Sequence, residues 1–389
     1  MKLTLLPVVA LLAGQTVAQV KGSPSGFASG TTGGGNATPQ YPSSITQLVS
    51  WLTDSTPRVI MIDKTWDFRN TEGTTKTRCC SDKATSVCSG GTSKGQLWIQ
   101  DTCNAPSTWK DCTYFNAAKK PIDVGSNKSI VGVGNKGVIV GKGLRIRGGA
   151  KNVIIQNIHI TNLNPEYVWG GDAITLDGAD KVWVDHNKFS LIGRQMMVSG
   201  WGAAGHVTIS NNEFDGRTQW SAGCNGKHYW TMLFIGERDY YTFSGNWIHD
   251  VSGRSPHVGT DATKSEIVFH AVNNYFQNIG GHAFDVDTNV WALLEGNYFE
   301  KVDTPMTSAS STKGGQIYDV ITVADAQGCS QPLGKVCEWN RLSGSGQLPT
   351  LKSSSALSKL SQFKSSVVKH IPVGDVPSSV TKNAGVGRV

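Results

Sequence analysis

Charged residues and long apolar runs are both scarce in this chain. Only 17% of the 389 residues are charged, whereas 45 are glycine, a composition typical of a turn-dense all-β chain rather than a helical or disordered one. No apolar stretch after residue 18 approaches the length of a membrane-spanning helix. Residues 120–325 contain no Pro- or Ser-rich linker, so one domain is predicted despite the length of the chain.

The eight cysteines lack the CxxC…CxxC spacing that is typical of a zinc site. Residues 1–18 begin with Lys2, continue with an apolar run and end in small residues, a pattern that predicts a signal peptide cleaved near Ala18 or Gln19. Cysteines exposed to an oxidising compartment form disulfides. We therefore predict a secreted, soluble, extracellular protein whose single domain spans residues 19–389, with a disulfide-tied loop excursion within residues 72–118.

A pattern of three short strands and intervening turns recurs along the chain. One copy reads DAITLDG, KVWVDH and NKFSLI, and four similar copies follow it. An asparagine marks the corner before the third strand at positions 187, 212, 246, 274 and 297, and isoleucine stands in for it at position 158. Spacings that vary above a minimum near 23 residues indicate a solenoid with loop insertions. The prediction is an all-β, right-handed, single-stranded parallel β-helix with disulfide-tied loop excursions, in which stacked Asn side chains satisfy one another.

Four Gly-polar pairs occupy the same position, at the start of the first strand of their turns. The polar members should therefore line one edge of the coil; they are Asp172, Arg194, Arg254 and His282. An alternative is that each glycine makes a corner and each polar residue faces solvent. That alternative stays open for His282 alone, whereas the three charged residues together favour a functional site.

The two ends of the domain carry weaker signals. Ser44, followed by Ile45, Leu48, Val49 and Leu52, predicts a short amphipathic helix that covers the open end of the coil. The tail over residues 341–389 is expected to pack along the outside of the coil. Two Asn-X-Ser/Thr sequons are candidate glycosylation sites, at Asn36 and Asn127.

Several separate segments resemble the fungal pectin lyases of the pectate lyase superfamily over almost the whole chain. The segments are GFASGTTGGG, SNKSIVGVGNKGVIVGKGLRI, NPEYVWGGDAITLDGADKVWVDHNKFSLIGRQ, SGRSPHVG, HAVNNYF, GHAFDV and NAGVGRV. The resemblance implies a parallel β-helix that cleaves methyl-esterified polygalacturonan by β-elimination. It also implies that Arg254 abstracts the proton and that Asp172 and Arg194 flank it.

The resemblance further implies a cleft lined by Trp and Tyr, with Trp169, Tyr229 and Trp230 as candidates; Trp98 and Trp109 are weaker ones. Position 257 often carries lysine in this family but carries His257 here, which we expect to contact substrate. The same similarity implies the disulfides Cys88–Cys224 and Cys329–Cys337, while the pairing of Cys79 and Cys80 with Cys103 and Cys112 stays open.

The chemistry accounts for the residue types. Elimination removes the C5 proton of a uronate, stabilises an enolate-like carboxyl and releases the C4 oxygen. Arg194 is suited to donate hydrogen bonds to the ester carbonyl, oriented by Asp172. Arg254 can act as base only if its guanidinium, ordinarily charged at every accessible pH, becomes easier to deprotonate. Nearby cations and the exclusion of water are the expected causes.

Other functions are possible for the same fold. A calcium-dependent pectate lyase acting on demethylated chains would suit the net charge of +7. It would also need converging carboxylates, and Arg194 stands where a second carboxylate belongs. A hydrolase would need paired carboxylates that these strands lack, and a non-catalytic binder of cell-wall polysaccharide would need no arginine pair. We therefore expect methyl-esterified pectin as the partner of a monomer, with no metal, cofactor, nucleic acid or membrane involved.

Overall fold

A computed structural model describes residues 19–81, 88, 93–99, 103, 108–261 and 265–389. The predicted signal peptide, residues 1–18, lies outside these residues. Within the described part of the chain, no helix has the length and apolar character needed to cross a membrane.

Strands are the main regular secondary structure of the described chain. Those of the N-terminal third are β1 (Pro39–Gln40), β2 (Arg58–Ile62), β3 (Thr65–Asp67), β4 (Thr74–Ser81), β5 (Leu97–Trp98), β6 (Thr108–Phe115), β7 (Ile122–Asp123), β8 (Lys128–Gly132), β9 (Val138–Val140) and β10 (Leu144–Arg147). Those of the middle are β11 (Lys151–Gln156), β12 (His159–Leu163), β13 (Tyr167–Val168), β14 (Ile174–Asp177), β15 (Asp180–Asp185), β16 (Lys188–Ile192), β17 (Met197–Ser199), β18 (Gly205–Ser210), β19 (Glu213–Asp215) and β20 (Met232–Phe234).

The remaining strands are β21 (Arg238–Ser244), β22 (Trp247–His249), β23 (His257–Val258), β24 (Glu266–Val272), β25 (Tyr275–Val286), β26 (Val290–Glu295), β27 (Tyr298–Met306), β28 (Gln316–Asp319) and β29 (Arg341–Ser343). The α-helices are α1 (Ile45–Thr53), α2 (Asn116–Lys119), α3 (Val323–Gly328), α4 (Ser330–Leu333), α5 (Ser354–Ser361) and α6 (Val376–Asn383). Short 3₁₀ helices cover Gly26–Ala28, Ser308–Ser311, Lys364–Ser366 and Val373–Asp375.

The strands stack in parallel as successive coils, which confirms the predicted parallel β-helix. The second strand of each coil joins a ten-stranded sheet in the order β1-β2-β8-β11-β15-β18-β21-β24-β26-β28. The first strands form the ladder β7-β10-β14-β17-β20-β23, and the third strands form β3-β9-β12-β16-β19-β22. The long strand β25 runs through a third-strand and a first-strand position, so it connects these two ladders into one sheet.

The predicted asparagine ladder is present at the corner before the third strand. Each Asn side-chain oxygen accepts the backbone N–H and, between neighbouring asparagines, the Nδ2 of the preceding coil at 2.8–3.0 Å. The ladder starts below Ile158 and continues through Asn187, Asn212, Asn246, Asn274, Asn297 and Asn340. Asn340 extends it by one coil beyond the predicted set, because a 43-residue excursion hides the spacing. Each buried pair contributes roughly 1 kcal/mol of net stability.

Inside the coil, apolar side chains from equivalent positions stack on one another. Phe189 lies on Phe214 with ring centroids 5.1 Å apart, and Phe276 lies on Phe299 at 4.7 Å. All four are fully buried. A parallel ladder places the same position of each coil directly above the last, so the core is a set of columns and the outward residues form rows.

The N-terminal end of the coil is covered by the predicted helix, and the C-terminal tail packs against the outside of the coil. Ser44 accepts the N–H of Gln47 and begins helix α1, whose Leu48 and Leu52 are fully buried in the core. In the tail, α5 packs against β26 and β28, and α6 packs near Tyr275. The first residues of the tail are nevertheless part of the coil itself, because β29 pairs in parallel with β27.

The disulfides tie down the predicted excursion. Strands β4 and β6 form an antiparallel pair that leaves the coil, and β5 links it to β13. Both disulfides implied by similarity, Cys88–Cys224 and Cys329–Cys337, are present. The two pairings that the sequence left open are Cys79–Cys112 and Cys80–Cys103.

The two sequons differ in accessibility. Asn36 is exposed, whereas Asn127 is half-buried and its side-chain oxygen accepts a hydrogen bond from Asn152 at 2.8 Å. Asn36 is thus the more accessible of the two candidate glycosylation sites.

Candidate functional site

The predicted charged residues gather at one edge of the first-strand ladder. Asp172 precedes β14, Arg194 precedes β17 and Arg254 precedes β23, so the three lie on one side of neighbouring coils. The coil of β20 separates the two arginines and supplies Tyr229 and Trp230 at the same edge. We name Asp172, Arg194 and Arg254 the cleft strip.

Arg254 is held in an unusual backbone conformation. Its φ is +46°, a left-handed value that costs energy for a residue with a β-carbon. Its backbone N–H donates to Nε2 of His282 at 3.0 Å, and its carbonyl accepts the N–H of Met232 at 2.7 Å. The preceding residue must be glycine, because a β-carbon at Gly253 would lie 2.5 Å from the Tyr229 ring. Two neighbouring coils thus fix the position of this arginine.

Arg194 and Asp172 form a loose ion pair. Nη1 of Arg194 lies 3.9 Å from Oδ2 of Asp172, and their side chains are 17% and 24% exposed. The other carboxylate oxygen, Oδ1, accepts the N–H of Gln195 at 2.8 Å. Burial raises the pKa of Asp172, while Arg194 and the Gln195 N–H oppose that rise. The carboxylate is therefore anchored by the backbone and faces Arg194 without a close salt bridge.

Both guanidinium groups lie over tryptophan rings. The central carbon of the Arg194 guanidinium is 3.7 Å from the centroid of Trp169, and that of Arg254 is 4.9 Å from the centroid of Trp230. Burial lowers the pKa of Arg194, with Asp172 opposing and Arg254 adding to the lowering. Burial also lowers the pKa of Arg254, while Tyr229 and Asp285 oppose it. Burial is thus the main cause that eases deprotonation, as the exclusion of water predicts, whereas the aromatic faces attract the charged form.

The aromatic candidates divide into an exposed and a buried group. Trp169 and Tyr229 keep part of their surface open. Trp230 is only 9% exposed, and its Nε1 donates to Gln96 at 3.0 Å. Trp98 fills the space between the two tryptophans, 6.5 Å from Trp169 and 5.9 Å from Trp230. Trp230 therefore packs against the Arg254 guanidinium. Trp98 packs with Trp169 and Trp230, although the sequence made it only a weaker candidate.

His257 and His282 have internal partners. Nδ1 of His257 lies 3.0 Å from Asp285, and its Nε2 lies 3.2 Å from the carbonyl of Gly259. Burial lowers the pKa of His282, whose Nε2 accepts the Arg254 N–H. Because Nε2 of His282 accepts this hydrogen bond, the neutral tautomer carries its proton on Nδ1. His282 therefore positions Arg254, which decides between the two interpretations that the sequence left open for this residue. Both nitrogens of His257 are engaged within the protein, so its contact with substrate remains a prediction.

Two further residues shape the strip and were not predicted. Gln96 is fully buried and donates to the carbonyls of Pro165 and Gly193 at 3.0 and 3.1 Å. Nε2 of His228 lies 2.7 Å from the Arg194 carbonyl, and burial lowers the pKa of this histidine to about 4. Gln96 lies in the excursion, outside the repeat, so no sequence periodicity could have pointed to it. His228 immediately precedes Tyr229 and could have been found by its position.

Among the described residues, one group has the composition of a metal site, and it lies away from the cleft strip. Glu213, Asp215 and His249 place their ligand atoms within 4.8 Å of one another on the third-strand ladder. Lys188 already contacts Glu213 at 2.7 Å and Asp215 at 3.2 Å, and Arg217 contacts Asp215 at 2.6 Å. These five residues are the third-strand cluster, in which side-chain cations occupy the place of a metal ion.

A cleft beside the strip completes the site. It encloses about 230 Å³ and its walls include Lys119, Arg145, Trp169, Asp172 and Arg194. Paired cations, aromatic faces and an open groove suit a polymer that carries carboxyl groups and sugar rings. Fold and site together define a parallel β-helix protein with a cationic polysaccharide cleft.

Known proteins agree with this class. The family model described as "Pectate lyase" matches residues 1–330. The chain is 70% identical to "Probable pectin lyase E" of Aspergillus fumigatus over 97% of this chain and 98% of that protein. It is 67% identical to "Probable pectin lyase F-1" of Aspergillus terreus over 99% of each. The solved pectate lyase II of Xanthomonas campestris shares the fold, with a TM-score of 0.56, 20% identity, and 94% and 99% of the two chains covered. The chain belongs to the pectate lyase family.

Proposed function

We propose that the protein is a secreted, metal-independent pectin lyase, which cleaves methyl-esterified (1→4)-linked galacturonan by β-elimination. The observation that carries the proposal is the cleft strip: two partly buried arginines on tryptophan rings, with one carboxylate 3.9 Å from the nearer arginine. The relatives named probable pectin lyase support the same activity. The predicted signal peptide supports secretion.

Arg254 is proposed to receive the C5 proton. Its fixed backbone and the ring of Trp230 hold the guanidinium at the edge of the first-strand ladder, on the same side as Arg194. Burial already lowers its pKa, and a sugar chain that displaces water would lower it further. As the C5–H bond breaks, the C4=C5 double bond forms and the C4–O bond breaks. The departing oxygen then takes up a proton from water, and Arg254 later returns its proton to water.

Arg194 is proposed to stabilise the developing oxyanion of the ester. A methyl ester brings no charge of its own, so negative charge appears at its carbonyl oxygen only as the proton leaves. A guanidinium placed there stabilises the transition state more than the bound substrate. The loose pair with Asp172 orients Arg194 while leaving its donors available to the ester.

The proposal is tested by the ultraviolet absorbance of unsaturated uronide ends. Highly methylated pectin with chelator present should yield this product at a steady rate, and fully demethylated polygalacturonate should be cleaved poorly. Activity on polygalacturonate alone, restored by calcium after chelation, would assign the protein to the calcium-dependent pectate lyases. Binding to pectin without any product would leave a polysaccharide-binding protein.

A further inference from the structure

The cleft continues from Arg194 toward the N-terminal end of the coil, and its excess of positive charge lies in the part beside the strip. The part beside the strip meets a second depression of about 480 Å³ at Pro121. Five basic and three acidic side chains line the two together. The basic ones are Lys119, Lys120, Lys142, Arg145 and Arg194, and the acidic ones are Glu72, Asp123 and Asp172. A fully esterified, neutral chain would gain nothing from this excess of two positive charges.

Arg145 is the best placed of these cations. It lies on β10, where it pairs in register with Thr175 of β14, and it faces outward into the cleft. Its Nε and Nη2 donate to the two oxygens of Asp123 at 2.6 and 3.2 Å, yet the side chain stays 28% exposed. Arg147 contacts the same carboxylate at 2.9 Å, so Asp123 is shared between two guanidinium groups. One carboxylate between two guanidinium groups leaves this group of three side chains with one net positive charge.

Lys119 adds a second cation to the lining of the same cleft. Its ammonium lies 4.9 Å from the centroid of the Tyr114 ring. No described carboxylate lies within salt-bridge distance of it, in contrast to Lys120 and Lys142, which both contact Glu72. An ammonium and a guanidinium that face one cleft form a site for a carboxylate.

Arg145 lies four rungs from Arg254, the residue proposed to take the proton. Parallel strands lie about 4.8 Å apart, so β10 is about 10 Å from the rung of Arg194 and about 19 Å from that of Arg254. A free carboxylate bound at Arg145 would belong to a different sugar from the one that loses its proton. The reacting sugar can then carry the ester while a neighbour carries the acid.

We propose that Arg145 and Lys119 form a subsite for an unesterified galacturonate residue, so that the enzyme prefers partly esterified pectin chains with a free acid at this position. The proposal rests on the lyase activity proposed above. It explains the positive charge near the cleft as a binding site for one acidic sugar, rather than as a general attraction between the whole protein and an acidic polymer.

Methyl-esterified oligogalacturonides of one length provide the test. One substrate is fully esterified, and the others carry a single free carboxylate at each position in turn. Wild-type protein should cleave one of the mono-acid isomers with kcat/KM about tenfold above that of the full ester, and salt should reduce this preference because it screens the pair. Arg145→Gln should bring the ratio of the two kcat/KM values close to one.

Arg147→Gln is the matched control, since Arg147 contacts the same Asp123 but does not line the cleft. It should leave the ratio within about twofold of wild type. If Arg145→Gln fails to fold, as judged by circular dichroism, Lys119→Gln provides a second variant with the same expected loss of preference. Equal rates on all esterified substrates, or an unchanged ratio in Arg145→Gln, would overturn the subsite. Absence of elimination on every ester would instead overturn the proposed lyase activity.

Discussion

The cleft strip and the third-strand cluster are two groups of charged residues that the same coil holds in different ways. In the cluster, Lys188 contacts Glu213 at 2.7 Å and Asp215 at 3.2 Å. In the strip, the shortest distance between opposite charges is 3.9 Å, from Arg194 to Asp172. Charges that satisfy one another contribute to stability, whereas cations left without a close carboxylate keep their donors available for a substrate.

Tail packing strengthens the same contrast. A β-carbon at Gly385 would lie 2.8 Å from the Glu213 carboxylate, so the C-terminal tail covers the cluster closely. The strip instead borders an open cleft of about 230 Å³. Substitutions in the two regions should therefore separate turnover from stability.

The largest expected effect is on turnover, from Arg254→Ala. If Arg254 takes the C5 proton, this variant should lose at least about 10³-fold in kcat, or about 4 kcal/mol of barrier, with little change in thermal unfolding. Arg254→Lys should restore little, because an ammonium has a different reach and geometry. Arg217→Ala in the cluster is the control and should keep wild-type kcat within about twofold. Turnover of Arg254→Ala within about tenfold of wild type would rule out proton transfer by this residue.

Asp172→Asn should have the next largest effect. The amide oxygen can still accept the Gln195 N–H, which is bound at 2.8 Å in the native protein, but the charge that orients Arg194 is lost. We expect kcat to fall about 10- to 100-fold, a typical range for an electrostatic contribution to a transition state, with KM nearly unchanged. Steady-state kinetics on highly methylated pectin would measure this. A change in KM alone would show that Asp172 serves binding instead.

In the cluster, Glu213→Gln should change stability and leave turnover intact. The substitution removes the charge that binds Lys188 and His249, and leaves those partners half-satisfied at a site where Glu213 is only 14% exposed. The expected loss is about 1–3 kcal/mol in the free energy of unfolding, measured by denaturant titration. Unchanged stability together with lost activity would reverse the distinction between the two regions.

The cluster should also make stability depend on pH in a predictable direction. Burial opposes ionisation of Glu213, yet His249 and Lys188 hold its pKa below the ordinary value of 4.5. Its contribution is therefore present above about pH 4.5 and is lost as the pH falls through the lowered value. Burial opposes charging of His249, yet Glu213 and Asp250 raise its pKa above 6.5. Its contribution is present below about pH 6.5 and is lost as the pH rises through the raised value.

Thermal unfolding midpoints measured across this range would check the effect. The difference between wild type and Glu213→Gln should be largest between about pH 4.5 and 6.5 and should shrink on either side. A constant difference would show that the substitution acts through packing rather than charge.

The smallest expected effect is that of a chelator on cleavage. The one described group with metal-type ligands is occupied by Lys188 and Arg217, and a calcium ion near the strip would meet two guanidinium groups. Initial rates on methylated pectin should agree within about twofold with and without chelator. An absolute requirement for calcium would contradict the proposed role of Arg194.

Sequence periodicity was enough for the repeating part of the protein. The Asn corners predicted the ladder, and the Gly-polar pairs predicted the strip, because stacked coils place equivalent positions in one row. Sequence reasoning missed Asn340, where an insertion hid the period, and Gln96, which lies in the excursion; Trp98, also in the excursion, was only a weaker candidate. The contacts of Gln96 and Trp98 with Trp230 depend on how that excursion folds back over the coil.

By itself the sequence determined the coil, the helix that covers its N-terminal end and the row on which Asp172, Arg194 and Arg254 lie, because each depends on local periodicity and capping. Only the tertiary structure decided which cations are neutralised. Lys188 and Arg145 are both basic residues on strands of the coil, and nothing in the sequence distinguishes their surroundings. In the structure, Lys188 contacts two carboxylates, whereas Arg145 shares a single carboxylate with Arg147. Pairing depends on distances of a few ångströms between coils and loops that are remote in sequence, and these are fixed only when the whole chain has packed.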